Sequence, residues 1–262
     1  MVKSSTALFF LILSIGEAKE ILSIGSAYFP DTISKTEACG QAFIDAQKKA
    51  MSEAGLERGR FLDIEICSEN KEGASCNLVQ ESQSYFDGGF ITSSKITKQY
   101  EVGSSINRTC VIEAVFDVRK FDQQHDPDFA FNAELSKTRI FENDTIFVTG
   151  ETNQPAYIQL VWFDPKTNIF TKVFPNKYEK TSQIVGKFTI PSKEGKKKYQ
   201  FYGQFLPDFM GNQVAEFLLV LATTKQFPLL EREEAPSFYS RLNDLGRSNW
   251  RKINLGYTVY RN

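Results

Sequence analysis

The chain has 262 residues, with 31 Lys and Arg against 32 Asp and Glu, and 41% of it is hydrophobic. That is globular composition, and the length suits one large domain or two small ones. A net charge of −1 supplies no basic field for DNA or RNA, and a single His beside 4 Cys rules out most zinc sites of the finger or triple-histidine kind. The unusual feature is 23 Phe and 10 Tyr against 2 Trp, which predicts thick β layers or adhesive interfaces rather than a particular chemistry.

Lys3 precedes the unbroken apolar run Ala7 to Leu13, and Gly16-Glu17-Ala18 has the small-x-small form that signal peptidase reads. This anatomy predicts a signal peptide over 1–18, cleaved after Ala18. The alternative is a buried first strand or helix. The apolar core is too short to span a bilayer, which needs ~20 residues. The later run Phe217 to Ala222 is strand-sized, so no transmembrane segment is expected. The mature chain is then expected in the periplasm or secreted.

Cys39, Cys67, Cys76 and Cys110 are an even set in a chain bound for an oxidising compartment. Cys67 and Cys76 flank the polar stretch from Glu69 to Gly73, which suits a local bridge and leaves Cys39 to pair with Cys110. Four reduced, buried thiols are the alternative.

An α+β module is predicted over 19–120. Glu20 to Tyr28 reads as a strand ended by Pro30 and Asp31. Ser34 and Glu37 fit a capping box, and Ala38, Cys39, Ala42, Phe43, Ala46, Ala50, Met51 and Ala54 form a 3.6-period face. A face of alanines can approach a sheet closely, and Gly55 is a C-terminal stop. Phe61 to Cys67, Ile91 to Val102 and Asn107 to Val118 read as strands, giving one helix on an antiparallel sheet.

His125-Asp126-Pro127-Asp128 reads as a linker. A β-sandwich-like module is predicted over 128–226. Its strands are expected at Ala130 to Leu135, Thr145 to Thr149, Ala156 to Phe163, Ile169 to Phe174, Ile184 to Phe188, Tyr199 to Gln204 and Ala215 to Ala222. Asp164 to Asn168 forms the turn of a hairpin. Lys193, Lys196, Lys197 and Lys198 make a basic cluster that reads as a solvated hairpin tip or as a contact for anionic lipid or a polyanion. Residues 227–262 read as a tail, with a helix at Ser237 to Leu245 opened by Pro236 and stopped by Gly246, then a strand from Ile253 to Val259. Trp250, Tyr257 and Tyr260 in this tail are candidate interaction residues, or simply cap a core.

No nucleophile elbow, phosphate loop or dinucleotide motif occurs. His125 beside Asp126 has no nucleophile partner in the sequence, and Asp122, Asp126 and Asp128 lack the spacing of a calcium loop. No catalytic residue, cofactor or metal is expected.

The hairpin that runs from Ile158 into Lys172-Val173-Phe174-Pro175-Asn176 resembles a bacterial envelope domain family of unassigned function, whose strand pair ends in Leu/Val-Phe-Pro-Asn. Thr189-Ile190-Pro191 and the apolar strand Val214 to Ala222 match its later elements, so the resemblance covers about 128–226. It implies export or attachment to envelope proteins, with Phe174, Pro175 and Asn176 as a structural turn. Ala42, Ala46, Lys49, Ala50 and Ala54 resemble the Ala-rich helix in the N-terminal domain of flagellar T-ring assembly proteins and their outer-membrane lipoprotein relatives. Here the helix start has Glu37 and no Arg, and no lipobox is present. The signal peptide, the even cysteine set, the two β-rich modules and the lack of a catalytic constellation predict a non-enzymatic structural or assembly component of an envelope complex, with envelope proteins or a multi-subunit assembly as partners and peripheral membrane contact. The alternative function is a periplasmic module that binds a small ligand, glycan or lipid headgroup.

Overall fold

A computed structural model describes residues 18–30, 33–56, 88–104, 107–121, 125–164, 167–180, 183–205 and 212–261, and the backbone of 64–70, 73–79 and 85–86. Residues 1–17 of the expected signal peptide, residues 61–63 of the expected second strand and Asp122 lie outside the described residues.

The first module contains β1 (Lys19–Phe29), α1 (Lys35–Glu53), β2 (Ile64–Asn70), β3 (Gly73–Val79), β4 (Tyr85–Phe86), β5 (Gly89–Gly103) and β6 (Arg108–Lys120). An antiparallel sheet runs β1-β6-β5-β4, while β2 and β3 form a separate pair. The helix begins where Ser34 Oγ accepts a hydrogen bond from the Glu37 N–H at 3.1 Å, which satisfies one orphan donor of the first turn. It ends at Gly55, whose φ of 71° is a left-handed conformation that costs glycine little.

Ala38, Ala42, Ala46 and Ala50 are fully buried against Ile21, Ile112, Ala114 and Phe116. Small side chains bring the helix so close that a Cβ at Gly25 would overlap the backbone oxygen of Ala42 and the nitrogen of Ala46. The Cys39–Cys110 disulfide staples this layer, with Cα atoms 5.2 Å apart, inside the usual span of a bridge. Cys67 stands directly opposite Cys76 in the β2–β3 ladder. Their sulfur atoms are outside the described residues.

The first strand is an edge of its sheet, and α1 covers that edge with polar side chains. Asp45 accepts from the Ser26 N–H at 3.0 Å, and Lys49 donates to the Ile24 carbonyl at 3.0 Å. Asp45 and Lys49 also pair with each other at 2.7 Å.

The second module adds β7 (Phe131–Leu135), β8 (Arg139–Phe141), β9 (Thr145–Ile146), β10 (Val148–Asp164), β11 (Ile169–Phe174), β12 (Gln183–Ile190), β13 (Phe201–Tyr202), β14 (Gln213–Thr223), β15 (Arg232–Glu234), α2 (Ala235–Leu245) and β16 (Trp250–Tyr260). Its main sheet runs β15-β11-β10-β14-β16-β8. The N-terminal half of β10 pairs instead with β7 and β12, so this one strand joins two layers in a sandwich-like arrangement. The sheet is mixed, because β8 runs parallel to β16.

Three expectations need correction. The strands expected at Thr145 to Thr149 and Ala156 to Phe163 are not separate, since Val148 to Asp164 is continuous. Gln154-Pro155 resembles a turn, but the ladder shifts register between Thr152 and Ala156, and a bulge accepts a proline that has no N–H to donate. The strand expected from Tyr199 to Gln204 is only Phe201–Tyr202. The segment expected as a tail is integral to the fold, since β16 pairs with β14 along its whole length from Trp250 to Tyr260.

The modules also share an aromatic core. Phe90 at the start of β5 lies 6.1 Å from Tyr239 of α2, and Phe121 lies edge-on to Trp250 at 5.2 Å. No described helix is long and apolar enough to cross a membrane.

Candidate functional site

Alternation along β14 places Ala215, Phe217, Leu219 and Leu221 on the core shared with α2, and Leu218, Val220 and Ala222 in the other core. Glu216 falls in register with the second set, near the strand's start, so it is a carboxyl on an apolar face. It is 8% exposed. Tyr257 of β16 stands directly opposite it, and Leu218 stands opposite Trp162 of β10. Trp162 and Glu216 are therefore diagonal neighbours on adjacent strands, a spacing that long side chains bridge. Trp162 Nε1 donates to Glu216 Oε2.

These three residues line a cavity of about 530 Å³ at the end of the second core. Its other walls come from Ile146 of β9, Val173 of β11 and Leu218, and from Phe201, Tyr202 and Phe205 in and after β13. Gln200 and Gln204 add amides at the same end. The volume and the mostly apolar, aromatic lining with a few polar groups are those of a small-molecule site.

Burial pushes the Glu216 carboxyl up to about 7; Asp164 adds to the rise, while the Trp162 hydrogen bond opposes it. Burial, and then the charge of Glu216, hold the Tyr257 phenol above its ordinary value. Glu216 is the only acid among the described lining residues. Glycoside hydrolysis by a carboxyl pair needs a second one across the site.

Among the described residues no group of three or more His, Cys, Asp or Glu is placed to hold a metal. His125 is exposed, and Asp126 Oδ1 accepts from the Asp128 N–H at 2.9 Å, which makes a local turn.

The Phe174-Pro175-Asn176 turn forms a separate polar knot. Asn176 Oδ1 accepts from the N–H groups of Tyr178 at 2.9 Å and Glu179 at 3.0 Å, while its Nδ2 donates to the Val173 carbonyl at 3.4 Å. The Glu179 carboxylate then accepts from the Tyr199 hydroxyl at 2.7 Å and the Ser192 N–H at 3.3 Å. The Phe-Pro-Asn and Ile-Pro segments are thus tied to each other through one carboxylate, with Phe174 buried in the core. Beside this knot, Lys196 sits over the Phe147 ring at 4.0 Å and Lys197 pairs with Glu194 at 2.9 Å.

Of the candidate interaction residues, Trp250 is fully buried against Phe121 and under the Arg247 guanidinium, which is 3.9 Å from its ring. It is a core residue and presents no surface to a partner. Tyr257 is buried too, but at the cavity. Tyr260 is half-buried beside Phe141, with ring centroids 6.1 Å apart.

Sequence reasoning missed Glu216 and Trp162 as site residues. The available signal was a lone acid at the head of an otherwise apolar strand, Val214 to Ala222, because such a residue needs a reason to be buried. Compared with known proteins, the chain matches no family model, no curated protein and no solved structure.

Proposed function

We propose that the protein is an exported, non-catalytic binding module that holds a small ligand in the cavity between β10, β14 and β16. The observation that carries this reading is the 530 Å³ cavity, walled by aromatic rings around one buried carboxyl. The predicted signal peptide and the Cys39–Cys110 bridge favour an oxidising, extracytoplasmic setting. Native mass spectrometry of protein isolated from its source without denaturation tests the reading. A bound small molecule is expected, and it should disappear in Leu218→Trp, which fills the cavity. Recovery of the bare chain mass alone, or retention of the molecule in the filled variant, would reject it.

A second reading, a structural or assembly component of an envelope complex, has its own observation. The solvent side of the first sheet exposes Leu22, Ile24, Tyr28, Tyr100 and Val102, and clustered apolar surface marks contact sites. A photocrosslinker at Ile24, activated in intact cells, should then capture another envelope protein. Uncrosslinked chain alone would end that reading.

A further inference from the structure

We propose that the cavity's ligand is a small organic cation, a quaternary or protonated amine, held by Glu216 and by the rings of Trp162, Tyr257 and Phe201. This rests on the ligand-binding reading above and names the chemistry of its occupant.

The lining combines two features that together favour a cation. Aromatic faces carry negative potential, with indole the strongest, and they attract ammonium groups most when both are removed from water. The cavity presents Trp162, Phe201, Tyr202, Phe205 and Tyr257 to one space. The second feature is the carboxyl. Ionised Glu216 in that apolar setting needs a positive partner, and none of the described lining residues is Lys or Arg. A carboxylate has roughly four acceptor positions, and the Trp162 N–H occupies one of them. That bond also fixes the indole and the carboxyl relative to each other, which is preorganisation for a ligand placed between them.

Apart from Arg261, the groups that line the cavity or act on Glu216 favour this. Trp162 and Asp164 come from β10, Tyr257 from β16, Val173 from β11 and the neutral Gln200, Tyr202 and Gln204 from the segment around β13. Arg261 touches the lining through Phe205, with its guanidinium 4.8 Å from the ring. Asp164 adds negative charge near Glu216, which favours an incoming cation. Burial holds this carboxyl well above the ordinary carboxylate range, so a fraction of it carries a proton near neutral pH. A cation binds the ionised form, so it displaces a proton and its apparent affinity rises with pH.

Isothermal titration with choline and with its uncharged isostere 3,3-dimethyl-1-butanol provides the test, on the full mature chain with thermal unfolding as the control for folding. Choline should bind saturably and the neutral isostere should not. The choline Kd should be at least ~10-fold weaker at pH 5.5 than at pH 8, following the fraction of binding-competent carboxylate. Glu216→Gln should abolish binding, and Trp162→Leu, which keeps the carboxyl, should weaken it by at least ~10-fold. Equal binding of the two isosteres, or choline affinity retained in Glu216→Gln, would overturn the cation assignment while leaving a ligand pocket in place. No saturable choline binding at either pH would also overturn it. The native mass measurement, which uses no choline, decides separately whether the pocket holds a ligand.

Discussion

Each module packs a helix on a sheet, and the two contacts use opposite materials. The first helix meets its sheet through Ala38, Ala42, Ala46 and Ala50. The second meets its sheet through Phe238, Tyr239 and Leu242, with the Phe238 and Phe170 rings only 4.5 Å apart. Alanine removes little apolar area from water per residue, so the first contact gains stability from closeness and from a covalent bridge. Phe and Tyr bury far more area each, so the second contact needs no bridge and tolerates small shifts better. The first interface is limited by distance and the second by volume.

The contrast breaks most sharply at Gly25. Gly25→Ala should cost more than about 4 kcal/mol, because the new methyl meets helix backbone that cannot rotate away. Denaturant unfolding measures this, and a loss under ~1 kcal/mol would show that the helix has room to retreat. Reduction of Cys39–Cys110, whose partners are 71 positions apart, should cost about 4 kcal/mol in the loop-entropy account. Hydrogen exchange should then rise first in α1, β1 and β6, while β10 and β14 stay protected. Simultaneous loss in both modules would show that the contact of Phe90 and Phe121 with Trp250 and Tyr239 couples them into one cooperative unit.

The next effect lies in the second module and depends on pH. The Glu216 carboxyl keeps its proton in the fold up to about 7, whereas in the unfolded chain it ionises near its ordinary value of 4.5. The folded state therefore binds more protons between these values, and stability falls as pH rises from about 4.5 to 7, then levels off. The loss is on the order of 3 kcal/mol. Glu216→Gln should flatten this part of the stability profile; an unchanged slope would move its origin elsewhere. The smallest effect is Asn176→Ala, which removes the side-chain bonds of the Phe-Pro-Asn turn and should cost ~1 kcal/mol in denaturant unfolding. No loss of stability together with loss of a bound ligand would make that turn part of a site.

Much of the architecture was legible where one local rule acts alone. Ser34 and the alanine period give α1 to within two residues, and the turn around Asn168, with its φ of 58°, marks the β10–β11 hairpin. The pairing of Cys39 with Cys110 follows once the short spacing of Cys67 and Cys76 is read as a local bridge. What escaped is set by distant partners. The β15 strand, only Arg232–Glu234, exists because Ile169 to Thr171 offer it an edge. Trp250 sits in an aromatic segment that reads equally as surface or core, and its burial is decided by Phe121, from another module. The cavity was the least legible part. It requires Trp162, Glu216 and Tyr257 from three strands separated by more than fifty residues at one step, and neither periodicity nor spacing encodes that convergence.

The cover that Asp45 and Lys49 place over β1 has a consequence for the chain before it is fully oxidised. An uncovered strand edge recruits other strands, and β1 carries Leu22 and Ile24 on its exposed side, which would reward such recruitment. The carbonyl of Ile24 and the N–H of Ser26 are guarded only while the helix is docked. The Cys39–Cys110 link that holds the helix down therefore also controls whether this edge is open to another chain. Before that link forms, newly made protein carries a sticky strand, and its yield should depend on how quickly the thiols are oxidised relative to how often two chains meet.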